Sequence, residues 1–261
     1  MNQSRLSTST GRRNVRSKRR QNLILRLFVL VVIIAILLLA STLFFRVDGV
    51  IVEGAEHHTA QEIQDVSGIR QGRQLFTLPQ NRIRRQLLDR FPYLRDVNIR
   101  LRLPDTVVIT LDERQPIAYI EQYNQRWILD FDGRLLEATH ADTTGFAIRG
   151  ISLNEPQVNT YFSSPDVVEK QTYELLLSAF YRHELLDTLD YVDLTALADI
   201  TFGLDGRFAV RLGVISDLDY KFRLLSEMLA QLEIDRPNAR GTITLADSAE
   251  LRRAVFSEDV E

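Results

Sequence analysis

The 261-residue sequence has no cysteine, which excludes structural disulfides, thiol catalysis and Cys-based zinc or iron centres. It has no Asp or Glu between Met1 and Phe45, although 35 acids follow. The phosphate-cradling and nucleophile signatures are missing as well: there is no G-x-x-x-x-G-K-[ST], no G-x-G-x-x-G after a strand and no G-x-S-x-G elbow. Histidine is scarce, with only His57, His58, His140 and His183. The string His183-Glu184-Leu185-Leu186-Asp187 departs from H-E-x-x-H at its last position and reads as a solvated helix face. His57 and His58 are adjacent and would point in different directions. The carboxylate pairs Asp130 with Asp132 and Asp112 with Glu113 read as turn formers and solvated strand ends. These absences leave no anchor for a catalytic, cofactor or metal site, and none is expected; nor is a small-molecule substrate.

What the first 45 residues do contain is Arg5, Arg12, Arg13, Arg16, Lys18, Arg19, Arg20 and Arg26. Eight of the 32 Lys and Arg residues thus precede Arg46, leaving 24 against all 35 acids beyond it. From Leu27 to Phe45 run 19 uncharged residues, LFVLVVIIAILLLASTLFF, which as a helix would reach roughly 28 Å, the thickness of a bilayer core. The reading is a basic cytoplasmic tail over residues 1–22 and a transmembrane helix over 23–45, with the remainder extracytoplasmic by the positive-inside rule. A cleaved signal peptide is the competing reading, but the run exceeds a normal h-region and Leu38 before Ala40 is a poor cleavage pattern. A nucleic-acid-binding arm is not needed to explain basic residues beside a membrane helix.

The first extracytoplasmic unit, residues 46–116, opens with Val47, Val50, Ile51 and Val52 as a strand ending at Gly54. Thr59 and Glu62 form a T-x-x-E capping box for a helix with Ile63 and Val66 inward and Gly68 as its stop. A second helix has Pro79 at its first turn, Ile83, Leu87 and Phe91 on one face and Pro92 beyond its end. Val97, Ile99, Leu101 and Leu103 alternate, Pro104 and Asp105 break the run, and Val107, Ile109 and Leu111 alternate again. The order β-α-α-β-β predicts a three-stranded sheet with two helices on one face.

A second unit, residues 117–256, reads as mixed α/β and rich in strands, so the fold class is α+β. Strands are expected at 117–123, 127–131 and 134–137, with Asp132-Gly133 as a tight turn. Ser164 and Pro165 mark the start of an amphipathic helix over 166–189 that buries Val168, Leu175, Leu176, Ala179 and Leu186. Ile200, Phe202 and Leu204 alternate into Asp205-Gly206, and Phe208, Val210 and Leu212 alternate out, which predicts a hairpin. Ser216 and Asp219 cap a further helix that buries Leu218, Phe222, Leu225, Leu229 and Leu232. Short strands follow at 242–245 and 251–256, with residues 257–261 as a tail.

Several local strings carry a resemblance: VDGVIVEGA (Val47 to Ala55), GRQLFTL (Gly72 to Leu78), FPYLRDVNIRLRLPDTVVITLDERQPIAYI (Phe91 to Ile120), ILDFDGRLL (Ile128 to Leu136) and DGRFAVRLG (Asp205 to Gly213), followed by a helix containing Lys221 and by GTITL (Gly241 to Leu245). In this order after an apolar helix they resemble the FtsQ/DivIB cell-division family. The resemblance implies a polypeptide-transport-associated (POTRA) domain over 46–116 and a β-type domain over 117–256. The chain departs from the family pattern at Thr244, where an acidic residue is frequent, and over Gly150 to Ser164.

The resemblance further implies a non-catalytic scaffold of the division machinery in the inner or plasma membrane, at the septum, linked to septal peptidoglycan synthesis. Its implied partners are small bitopic proteins of the FtsB/DivIC and FtsL type, held at the end of the β-domain. On physical grounds the terminal strand Leu251, Arg252, Arg253, Ala254, Val255 and Phe256 suits strand addition, because an edge strand leaves one row of backbone groups unpaired. Residues 46–116 carry 11 basic and 10 acidic side chains, whereas 117–261 carry 13 and 25. Arg82, Arg84, Arg85 and Arg90 on the second helix form a candidate basic face for an acidic partner or for anionic lipid, the alternative being a solvated helix face. Two other functions stay open: a POTRA-bearing chaperone or transport component that grips extended polypeptides, and a membrane-anchored cell-wall enzyme.

Overall fold

A computed structural model describes residues 25–37, 44–245 and 254–258. Helix α1 covers 25–37, with its apolar side chains exposed all round. Among the described residues no helix is long and apolar enough to cross a membrane. The basic tail and residues 23, 24 and 38–43 of the expected span lie outside the described residues.

The chain divides into two compact units, one of residues 1–53, 58–84 and 98–110, the other of 54–57, 85–97 and 111–261. From Gly49 the order is β1 (Gly49–Glu53), α2 (Ala60–Ser67), a 3-10 turn (Leu75–Thr77), α3 (Gln80–Arg90), β2 (Leu94–Arg102) and β3 (Thr106–Glu113). This is the expected β-α-α-β-β succession, and the sheet order is β1-β3-β2. The first strand lies parallel to the third, Gly49 opposite Thr106 through Glu53 opposite Thr110. Parallel neighbours need a long connection, and the helices lie within it. Thr59 and Glu62 form the capping box from both sides, and Gly68 closes α2 in the left-handed conformation, where a Cβ would be strained. Ile63, Ile83, Leu87, Val97, Val107 and Ile109 are all buried.

The second sheet has nine strands in the order β12-β11-β10-β9-β8-β7-β4-β5-β6. They are β4 (Pro116–Gln122), β5 (Gln125–Asp130), β6 (Leu135–Thr139), β7 (Phe146–Arg149), β8 (Leu189–Asp193), β9 (Ile200–Leu204), β10 (Phe208–Gly213), β11 (Gly241–Leu245) and β12 (Ala254–Glu258). Helix α4 (Val167–Arg182) connects the parallel pair β7 and β8, and α5 (Leu218–Asp235) the parallel pair β10 and β11. Each connection is a β-α-β crossover, the form parallel pairing demands. One core unites the unit, with Phe180, Phe202 and Phe222 packed ring against ring at its centre.

Several expectations are corrected here. Helix α4 ends at Arg182, not Leu189, because Glu184 turns into positive φ and the following residues form a 3-10 turn and then β8. Its buried face is Tyr173, Leu176, Leu177, Ala179 and Phe180, whereas Val168 and Leu175 are exposed. Asp217, in a left-handed conformation and without a side-chain capping bond of its own, is the residue that precedes α5. Strand β7 falls between 137 and 166, where no strand is expected from the sequence. The terminal strand occupies Ala254–Glu258, two residues into the expected tail, and Leu251, Arg252 and Arg253 lie outside the described residues.

Candidate interaction site

Strand β12 forms one edge of the nine-stranded sheet. It runs antiparallel to β11, Ala254 opposite Leu245 and Glu258 opposite Gly241. Ala254 and Phe256 turn toward the core, where the Phe256 ring meets Phe208 edge to face at 6.2 Å. Val255 and Ser257 fall on the opposite, exposed side, Val255 at 53% exposure. Gly241 makes the seating possible: a Cβ there would stand 2.1 Å from the Ser257 carbonyl oxygen, a clash with backbone that cannot rotate away. Arg236 donates to Glu258 at 3.0 Å across the strand's end. Among the described residues no strand pairs with the outer side of β12. Its outward N–H and C=O groups therefore form an incomplete ladder.

The other edge differs. Beside β6 the segment 159–162 comes back along the strand: Leu135 N–H donates to Thr160 O at 2.8 Å, Asn159 N–H to Leu135 O at 2.7 Å and Phe162 N–H to Gly133 O at 2.9 Å. The stretch from Gly150 to Ser164, where the family pattern is lost, thus covers the start of this edge, and its own Ile151, Leu153 and Phe162 are buried.

Arg82, Arg84, Arg85 and Arg90 all lie on α3 and are exposed. Arg82 and Arg85 are one turn apart and share a face. Arg90 stands in the last turn, where a cation complements the helix dipole.

Asp130 and Asp132 do form a turn, with Gly133 N–H donating to Asp130 O at 3.0 Å, but they and Glu113 are paired rather than freely solvated. Asp130, 1% exposed, pairs with the buried guanidinium of Arg114 and accepts the Arg134 N–H at 2.8 Å. Asp132 accepts from Arg114 and from Arg95, each at 3.2 Å. Glu113 Oε2 lies 2.8 Å from His57 Nδ1 and accepts the His57 N–H at 2.9 Å. Burial works against the Glu113 charge, but these bonds outweigh it and hold its pKa below the usual carboxylate value. The His57 ring stacks on Tyr93, whose hydroxyl donates to Glu137 at 3.1 Å; burial first and Glu137 second push that phenol's pKa upward. Ligand atoms of Glu56, His57 and Glu113 lie within 4.8 Å of one another, a closeness the His57–Glu113 bond explains without an ion. No spacing rule could have found these partners, since Arg114 and Asp130 are sixteen positions apart and His57 and Glu113 fifty-six.

Lys221, 4% exposed, donates to the Leu212 and Val214 carbonyls at 3.0 and 2.9 Å. A buried ammonium demands such acceptors, and here it ties α5 to the end of β10.

Residues 45–114 match the family model "POTRA domain, FtsQ-type". The chain is 26% identical over 169 residues to the cell division protein FtsQ of Koribacter versatilis, covering 64% of this chain and 48% of that protein. It is 32% identical over 94 residues to the cell division protein DivIB of Clostridium acetobutylicum, covering 36% and 37%. A third relative, the cell division protein FtsQ of Geotalea daltonii, is 32% identical over 117 residues, covering 44% and 42%. The chain is similar to FtsQ and DivIB cell-division proteins, and its residues 45–114 match their POTRA domain. Its matches span about half the length of these relatives or less. The FtsQ-type POTRA match ends at Arg114, so the buried Arg114–Asp130 pair joins the last matched residue to strand β5.

Proposed function

We propose that this chain is a non-catalytic, membrane-anchored scaffold of the bacterial division machinery that holds small bitopic partners of the FtsB/DivIC and FtsL type by strand addition at β12. In this reading residues 1–22 are cytoplasmic, 23–45 cross the inner or plasma membrane once, 46–116 form the POTRA domain and 117–256 the β-domain. The ectodomain works outside the cytoplasm, at the septum, and couples its partners to septal peptidoglycan synthesis. Similarity to proteins named for cell division supports the setting. The apolar circumference of α1 supports the anchor, since a helix that is apolar all round has no soluble face.

The observation that carries the mode of binding is the unpaired outer edge of β12, five residues long and carrying an exposed Val255. Strand addition there would give affinity through main-chain bonds and specificity through alternate side chains. No cofactor takes part. Deleting residues 251–261 and measuring co-purification with the bitopic partners tests the reading. Capture should be lost while the ectodomain stays folded; undiminished capture would sink it.

A further inference from the structure

We infer that the first unit rests part of its own surface on the bilayer it emerges from, with exposed Phe76 entering the lipid interface and Arg70 and Arg73 meeting anionic headgroups. The inference rests on the reading that the apolar run through Phe45 spans the membrane.

Backbone bonds clasp the segment 72–75 to the residues that leave that run. Leu75 N–H donates to Phe45 O at 2.9 Å, Val47 N–H to Arg73 O at 2.8 Å and Gly72 N–H to Val47 O at 2.8 Å. Arg46 and Gln74 form an antiparallel bridge. The clasp leaves Phe76 55% exposed, its ring 5.1 Å from that of Phe45, and Phe44 76% exposed. If Phe45 marks the end of the hydrocarbon core, a headgroup zone of roughly 5–7 Å lies beyond it. A ring 5.1 Å away falls within that zone, where aromatic side chains are favoured.

Charge points the same way. Residues 66–88 contain no Asp or Glu and five arginines, Arg70, Arg73, Arg82, Arg84 and Arg85. Arg70 and Arg73 are exposed on the clasped loop itself. A basic, acid-free surface held beside a membrane attracts anionic lipid, and each arginine near the surface is worth roughly fivefold in occupancy.

The chain's lack of cysteine makes the test direct. Full-length protein carrying Thr77→Cys, with an environment-sensitive dye on the thiol, is reconstituted into phosphatidylcholine vesicles with or without phosphatidylglycerol. Quenching at 77 by headgroup-depth nitroxide lipids is then read against a label at Ile33→Cys, probed with acyl-chain nitroxide lipids, and a label at Ile234→Cys. The expected result is strong quenching at 77 in anionic vesicles, weaker in neutral ones and reduced by Phe76→Ser or by Arg70→Gln with Arg73→Gln. Quenching at 77 no greater than at 234, with 33 strongly quenched, would overturn the inference and leave the anchor intact. No quenching at 33 would overturn both.

Discussion

The two edges of the nine-stranded sheet are finished differently. At β6 the chain covers the start of its own edge with residues 159–162, and a buried ion pair secures the same end through Asp130, Arg114 and the Arg134 backbone. Among the described residues the ladder stops at β12, with Val255 exposed and the Arg236–Glu258 pair near its end. Natural sheets blunt their edges with bulges, prolines, inward charges or covering loops. The β6 edge has a covering loop; the described residues of β12 have none of these devices. An edge left open beside one partly covered is the feature on which the proposed strand addition rests.

The strongest way to break the comparison is at the covered end. Asp130→Ala would leave the buried Arg114 guanidinium only the half-exposed Asp132 as partner, and removing one member of a buried pair costs about 3–5 kcal/mol. Urea melts of residues 46–261 should show that loss, while partner capture by the folded fraction stays unchanged. Next is Gly241→Val, whose side chain must displace the Ser257 carbonyl. Overpacking of about 1–3 kcal/mol, spent on unseating β12, should weaken partner binding about tenfold or more in a pull-down titration.

Val255→Lys sharpens the same point with no strain. A charged edge resists pairing, and an exposed substitution should change stability by no more than about 0.5 kcal/mol, so binding should fall while melting does not. Acid acts more broadly. Glu113, Glu62 and Asp193 all have pKa values held below their usual range in the fold. Their contribution is complete near neutral pH and is lost as pH falls through those lowered values, below about pH 4. Glu113→Gln should flatten that acid limb in melts followed by circular dichroism. The smallest effect belongs to Arg236 and Glu258, a half-exposed surface pair whose double-mutant cycle should return about 0–1 kcal/mol.

Local signals made some of this legible in advance. Thr59 with Glu62, Gly68, Pro79 and the Asp205-Gly206 turn act over a few residues, and each stands where its chemistry requires. Helix α4 shows where such reasoning ends. Val167, Val168, Tyr173, Leu175, Leu176, Leu177, Phe180 and Tyr181 cover most of its circumference, so periodicity alone could not choose a face, and Tyr173 was passed over for Leu175. The turn at Tyr123-Asn124, with both residues at positive φ, joins β4 to β5 without the glycine that usually announces it.

Long-range pairing was beyond reach for the same reason. A nine-strand order that places β7 between β4 and β8 depends on crossovers and on one shared core, not on any short motif. Of the candidate site, the position of a strand near the terminus was readable. Its register was not: the strand lies at 254–258, and its openness is visible only beside the partly covered β6.

Amide hydrogen exchange on residues 46–261, with and without the small bitopic partner proposed for them, tests the central claim most directly. The account predicts that partner addition slows exchange at alternate amides of Ala254–Glu258, the outward-facing set, and leaves β6 unchanged. Tight partner binding with no added protection in β12 would contradict it.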